Sequence, residues 1–377
     1  MPELLDIVGQ EAALAQLQKA VAGLRRPHAY IFAGPSGVGR RTTALELARL
    51  LLCEQPALRP NRGRLPELGD DFTLRQGCGQ CRVCRSFAAG TSPDFQLVYK
   101  ELGRFHEESA VRDQKMQDLG IGVIREFLIE PAYLAAAGGR GKVFVVLGSE
   151  LMSVPAQNAL LKTLEEPPPG VSIILVCADV AELLPTTRSR CQLVRFGPLP
   201  MDFVERTLAA GGMDAGEARF WAGLSEGSIG LAQQLAGEKL YTVNRKLVDD
   251  LARGADESEL AETLSKEMEK LARRFKGRDE DLAASLANRQ AGQMLLRLLV
   301  GIFRDALAVA AGSGRALANQ DQAPAVAALA KRFDPPTLAR VLAQLPRCEQ
   351  LLWRNVNIKL LWANVAVTCT SAAPLEV

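Results

Sequence analysis

The residues best suited to chemistry lie between Gly34 and Thr43, in the order Gly34-Pro35-Ser36-Gly37-Val38-Gly39-Arg40-Arg41-Thr42-Thr43. Glycines at this spacing let the backbone curve so that its N–H groups and a following helix N-terminus face an anion. An intact phosphate-binding signature, G-x-x-x-x-G-K-[ST], puts Lys at position 40 and Ser or Thr at 41. This chain has arginine at both positions. The hydroxyl that would ligate Mg²⁺ is therefore missing from position 41, with Thr42 next to it. Gly34, Gly37, Gly39, Arg40, Arg41 and Thr42 are the candidate nucleotide-binding residues of an altered loop. Bound ATP is compatible with it, and hydrolysis is not expected.

A second constellation is built from cysteine. Cys78, Cys81 and Cys84 form a C-x-x-C-x-x-C cluster, and Cys53 stands upstream. Four thiolates can close the tetrahedral shell of a structural zinc ion. A disulfide pair or an iron–sulfur cluster is compatible with the same residues, but a reducing compartment disfavours the first and nothing else suggests redox work. Cys177, Cys191, Cys348 and Cys369 are isolated in apolar or helical surroundings, as small core residues would be.

These residues need elements to hold them. Ala29-Tyr30-Ile31-Phe32 reads as a strand before the glycine loop, and Thr42 to Leu52 as the helix after it. Strand patterns recur at Asp94 to Val98, Lys142 to Leu147, Ser172 to Val176 and Gln192 to Phe196, with helices at Ile121 to Leu134 and Ala156 to Glu166. Continuous apolar runs of this kind suit a parallel sheet buried on both faces. Gly197-Pro198-Leu199-Pro200 is a breaker cluster, after which the pattern is helical, with long amphipathic segments such as Leu260 to Phe275 and Gln293 to Ala310. The expected architecture is an α/β P-loop domain over residues 1–198 with a zinc module at 53–84. A small helical lid over 199–240 and a helical oligomerisation domain over 241–377 follow. Segments 55–77 and 312–324 read as loops.

The 377 residues are enough for two or three domains, and a net charge of +2 argues neither for nor against a nucleic-acid surface. No apolar run is long enough to span a membrane, and Met1-Pro2-Glu3 does not open a signal peptide, so a cytoplasmic protein is expected.

Leu5-Asp6-Ile7-Val8-Gly9-Gln10-Glu11, Pro27-His28-Ala29-Tyr30 and the glycine loop together resemble the opening of bacterial clamp-loader subunits of the AAA+ class. Asn158-Ala159-Leu160-Leu161-Lys162-Thr163-Leu164-Glu165-Glu166-Pro167-Pro168 and Arg188-Ser189-Arg190-Cys191 match that family's most recognisable blocks. Asn355-Val356-Asn357-Ile358-Lys359-Leu360 resembles the last helix of its collar domain. The inserted cysteine knuckle is similar to one found in the same family.

The resemblance implies an AAA+ domain, a lid and a collar. Its implied partners are the loader's motor and delta subunits, a sliding clamp and primed DNA. It also implies that Arg190, flanked by Ser189 and Cys191, reaches across a subunit interface to a neighbour's ATP as an arginine finger. Arg188 would hold the loop. Several departures imply a subunit that does not itself hydrolyse ATP. Besides Arg40 and Arg41, Leu147 and Gly148 stand where an acidic pair should end the strand. Cys177-Ala178-Asp179 lacks the usual polar pair, and Glu226-Gly227-Ser228-Ile229-Gly230-Leu231 lacks a sensing arginine. Two other readings stay open: an active motor ATPase in which Thr42 takes the metal and Glu150 polarises water, and a module that senses nucleotide without hydrolysis.

The remaining candidates read as structure. His28 suits packing or capping, and His106 lies in a polar loop without an evident partner. Arg273-Arg274-Phe275-Lys276-Gly277-Arg278 reads as a solvated helix end, and Trp353 and Trp362 as core or subunit-interface residues.

Overall fold

A computed structural model describes residues 3–23, 26–108, 111, 118–278, 282–354 and 356–371. The chain divides into two compact units, residues 1–199 and 200–377, at the breaker cluster.

The first unit is built on a five-stranded parallel sheet. Its strands are β1 (Ala29–Ala33), β4 (Phe95–Val98), β5 (Lys142–Leu147), β6 (Val171–Cys177) and β7 (Gln192–Arg195), in the order β4-β5-β6-β1-β7. Tyr30 stands beside Ile174 on one side and Gln192 on the other, so β1 is an interior strand, flanked by β6 and the edge strand β7. Alternate residues of the strands face opposite layers. Ile31, Phe144, Val146, Ile173 and Leu175 share one core with Leu128 and Leu160 from the covering helices. Phe32 turns the other way and meets Phe196 at 5.1 Å between ring centroids. Among the covering helices, α1 spans Glu11–Ala22, α2 Arg40–Leu52 and α3 Arg82–Ala88. The segment expected as a helix from Ile121 is one, but Arg125–Ile129 within it takes π geometry. Helix α5 covers Val154–Glu165, and the short α6 covers Pro185–Arg188.

Tyr30 is fully buried, its hydroxyl has no hydrogen-bond partner among the described residues, and burial pushes its phenol up to about 12. An unpaired buried hydroxyl costs free energy, so Tyr30→Phe is expected to stabilise the protein by ~1 kcal/mol. The folded-state pKa is raised, so this titration leaves wild-type stability unchanged below the unfolded phenol's value and lowers it as pH climbs towards about 12. Tyr30's share of the alkaline decline, roughly 2–3 kcal/mol, should be missing from Tyr30→Phe in denaturant melts at stepped pH, while the shares of Tyr241, Cys177 and Cys191 remain.

Segment 55–77 is not a loop. It forms an antiparallel hairpin of β2 (Ala57–Pro60) and β3 (Thr73–Gln76), and its tip is closed by Asn61. The buried Asn61 amide donates to the carbonyls of Leu65, Leu68 and Gly69 and accepts from Leu65 N–H. Leu65, Leu68 and Leu74 then pack on Leu4, Leu14 and Leu50 in a satellite core. Sequence periodicity misses this because each strand is only four residues long and the apolar partners lie outside the segment. In 312–324, a 3₁₀ turn at Gln320–Gln322 leads into a helix beginning at Ala323.

Among the described residues the regular elements of the second unit are all helices, and Glu257–Arg278 and Ala284–Ala310 are the longest of them. The basic stretch at 273–278 is exposed at Arg273, Lys276 and Arg278, as a solvated helix end would be, but it is also tied into the unit. Phe275 is buried, Arg274 donates to the Glu238 carbonyl at 2.7 Å, and Arg278 pairs with the buried Glu238 carboxylate at 2.5 Å. Those arginines are spent on structure. Trp362 is fully buried, its Nε1 donating to Met268 Sδ at 3.3 Å, whereas Trp353 is half exposed, with Arg289 at 5.4 Å from its ring. The last helix spans Ile358–Thr370 and is capped by Asn357, which accepts from Lys359 N–H. Asn355 lies outside the described residues.

Candidate functional site

The glycine loop follows β1 and opens α2. Gly34 has φ +151°, and a Cβ there would fall 2.2 Å from the Phe196 carbonyl oxygen, so the end of β7 leaves no room for a side chain. Gly39, at φ +102°, caps α2 in a left-handed conformation.

Arg40 points into this structure and is only 8% exposed. Its Nη1 donates to the carbonyl of Cys177 at the end of β6, and its Nη2 donates to Ser36 Oγ at 3.2 Å. Burial pulls its pKa below the ordinary arginine value, and the nearby Glu150 carboxylate opposes that. Arg41 is exposed instead and lines an open cavity of ≈ 390 Å³ with Tyr99 and Lys100. Thr42 is half-buried, whereas Thr43 turns its hydroxyl back onto the Gly39 carbonyl at 2.9 Å.

Glu150 lies three residues past the end of β5 at Leu147 and is brought back towards the glycine loop. Gly148 takes a left-handed conformation and the chain doubles back through a 3₁₀ turn, Ser149–Leu151. Glu150 Oε1 then accepts the Ala178 N–H at 3.0 Å, beside Arg40 and Cys177. Burial, with Glu150 adding to it, pushes the Cys177 thiol up to about 11, which makes it a packing residue.

The Arg188–Cys191 segment is set by Gln157, a buried residue of α5 that sequence reasoning missed. Its Oε1 accepts from Leu184 N–H at 2.8 Å and from the Thr187 hydroxyl at 3.4 Å, which fixes α6 to α5. Arg188 is exposed and Ser189 Oγ donates to the Thr186 carbonyl. Arg190 is one-third exposed and paired with Glu165, the last residue of α5. Cys191 is half-buried, and burial pushes its thiol up to about 12, which disfavours the thiolate. Glu165 lay inside the matched block, but its meeting with Arg190 has no sequence signal: 25 residues separate them.

All four cysteines of the proposed module converge. The sulfurs of Cys53, Cys78, Cys81 and Cys84 lie within 4.8 Å of one another, with Cys53–Cys81 at 4.0 Å and Cys78–Cys84 at 3.9 Å. Four sulfurs ~2.3 Å from one tetrahedral ion stand about 3.8 Å apart. These separations fit that shell and are too long for a disulfide. Backbone N–H groups of Cys78, Cys81 and Cys84 point at the sulfurs of Cys53, Cys78 and Cys81 at 3.3–3.4 Å. Burial works against ionisation of Cys78, yet the N–H bonds from Cys81 and Gln80 hold its thiol at about 6. The module rests on α2. Arg49, paired with the buried Glu46 at 2.5 Å, packs under Gly77, where a Cβ would fall 3.0 Å from Arg49 Nε.

His28 Nε2 lies 2.8 Å from the Leu164 carbonyl, a packing contact. His106 does have partners. Its Nδ1 accepts Glu108 N–H, so Nε2 is the protonated nitrogen facing Glu126 at 3.2 Å.

A glycine loop after the interior strand β1 of a β4-β5-β6-β1-β7 parallel sheet, followed by a helical unit, defines a P-loop protein of AAA+ type. The chain belongs to the DNA polymerase III delta-subunit family: the family model described as "DNA polymerase III, delta subunit" matches residues 9–200, and that of the subunit's C-terminal part matches residues 259–369. It is 34% identical over 227 residues to the DNA polymerase III subunit delta' of Pseudomonas aeruginosa, covering 59% of this chain and 60% of that protein. Over 346 residues, 89% of this chain and 86% of the relative, it is 27% identical to subunit delta' of Yersinia pestis. It also matches subunit gamma/tau of Mycobacterium bovis at 31% identity over 205 residues, 54% of this chain and 30% of that protein.

Proposed function

We propose that this chain acts as the delta-prime-type subunit of a clamp loader, a protomer that does not hydrolyse ATP and completes the ATP site of a neighbour. The observation that carries this reading is the opposite orientation of two arginines. Arg40 is folded into the chain's own P-loop and bridges Ser36 to Cys177, while Arg190 is held at the surface. With Leu147 and Gly148 in place of an acidic pair, the electrostatic groups that drive phosphoryl transfer are missing from the chain's own site. Arg190, held at the surface by Glu165 and Thr186, would serve a nucleotide held by a motor subunit.

In this reading residues 1–198 form the AAA+ domain, with a structural zinc on Cys53, Cys78, Cys81 and Cys84. Residues 199–240 form the lid and 241–377 the collar that joins motor and delta subunits. The assembly then places a sliding clamp on primed DNA in the cytoplasm, and polymerisation belongs to other subunits of the holoenzyme.

A second reading, nucleotide sensing without hydrolysis, is favoured by the left-handed glycines that keep the loop curved. Calorimetric titration of the isolated chain with a non-hydrolysable ATP analogue and Mg²⁺ separates the two. No binding is expected with Arg40 in place, and saturable binding would favour the sensor.

A further inference from the structure

Arg190 has a companion that no motif singles out. Its Nε donates to Glu165 Oε1 at 2.8 Å and its Nη2 reaches the same oxygen, while Nη1 donates to the Thr186 carbonyl at 2.8 Å and to Ser189 Oγ at 3.3 Å. An arginine has five N–H donors. One on Nε, one on Nη2 and two on Nη1 are engaged here, which leaves the second Nη2 N–H without a partner among the described residues. The side chain is 32% exposed and Glu165 is 49% exposed. An ion pair this open to water adds little to stability. Its consequence is geometric.

A free arginine samples many rotamers and loses that freedom when it docks on an anion. Here the guanidinium plane is already fixed between two elements, α5 through Glu165 and α6 through Thr186. Gln157 locks those elements to each other.

We infer that Glu165 is a positioning residue that aims Arg190 at the phosphate of a nucleotide held by a neighbouring subunit. The inference rests on the trans-acting role proposed above. Glu165 does not meet the phosphate. It keeps the guanidinium in one orientation before the neighbour arrives, so that docking need not order it.

The test uses the complete reconstituted loader carrying wild-type chain, Glu165→Gln, Glu165→Ala or Arg190→Ala, with kcat and KM for ATP measured on primed DNA. Alongside it, the Arg190 Nε–H is followed by NMR in the isolated full-length chain. Loss of aim costs rate steeply, so Glu165→Ala is expected to lower kcat on the order of tenfold while assembly is retained. Glu165→Gln keeps an acceptor oxygen at the same reach and should stay within about twofold of wild type. The Nε–H resonance should be protected in wild type and Glu165→Gln and exchange-broadened in Glu165→Ala. An unchanged kcat in Glu165→Ala would overturn the inference. So would an equal fall in Glu165→Gln, or a rise in either variant, which would make the carboxylate a competitor of the phosphate. A loss in Arg190→Ala with none in Glu165→Ala removes only the positioning role. No loss in Arg190→Ala removes the trans-acting reading as well, even if NMR shows the pair.

Discussion

Arg190→Ala is expected to reduce DNA-stimulated ATP turnover of the reconstituted loader on the order of 10³-fold without dispersing the assembly. A guanidinium brought to a γ-phosphate in trans stabilises charge that develops in the transition state, and the water-excluded interface strengthens that effect. A thousandfold loss corresponds to about 4 kcal/mol of transition-state stabilisation. The stability cost of the substitution should be small by comparison, since the Arg190–Glu165 pair is largely open to solvent. Gel filtration of the assembled complex and the melting curve of the isolated chain therefore serve as controls. Arg190→Lys should not rescue turnover, because a point charge cannot reproduce the planar fork held by Glu165 and Thr186. The isolated wild-type chain is the blank and should show no turnover. If Arg190→Ala turns over ATP at the wild-type rate, the chain is a scaffold and the finger assignment is wrong.

Metal removal is expected to be the next largest effect. Purified protein should carry one zinc per chain, and stripping it should lower the melting temperature of the N-terminal unit by about 5–10 °C. The size follows from linkage. A ligand present at a hundred times its dissociation constant adds ~2.7 kcal/mol, and a unit of this size shifts by roughly 2–4 °C per kcal/mol. The loss should reach beyond the knuckle, because Cys53 ends α2 and the Glu46–Arg49 pair of the same helix packs beneath Gly77. Cys78→Ser should reproduce most of it, since a serine hydroxyl is a poor replacement for a thiolate that backbone N–H groups already favour. Elemental analysis with calorimetry before and after chelation checks both parts. Iron in place of zinc, or a metal-free protein with an unaltered melt, would overturn the assignment.

How far the fold could be read from the sequence depended on the range of the interactions. The parallel strands were legible because burial on both faces demands continuous apolar runs, as in Lys142–Leu147. The breaker cluster at 197–200 and the long amphipathic helices were legible for the same local reason. The 57–76 hairpin was not, since its stability comes from Leu4, Leu14 and Leu50, far away in the chain. The π stretch in Arg125–Ile129 left no local mark either. Arg274 and Arg278 looked solvated until Glu238, 36 and 40 residues away, proved to be their partner.

At the site, residue type and spacing carried the glycine loop with its two arginines and the C-x-x-C-x-x-C pattern, while the Arg188–Cys191 segment stood out only through the family resemblance. These are local facts, because a backbone turn or a metal knuckle is made from neighbouring residues. Folding was needed for everything that depends on direction. It turned Arg40 inward to Cys177, brought Glu150 back over the end of β6, joined Cys53 to the other three sulfurs and set Glu165 against Arg190. A sequence states which charges and ligands exist. Where a side chain points is settled by packing between segments far apart in the chain, and the closing of the parallel sheet brings those segments together.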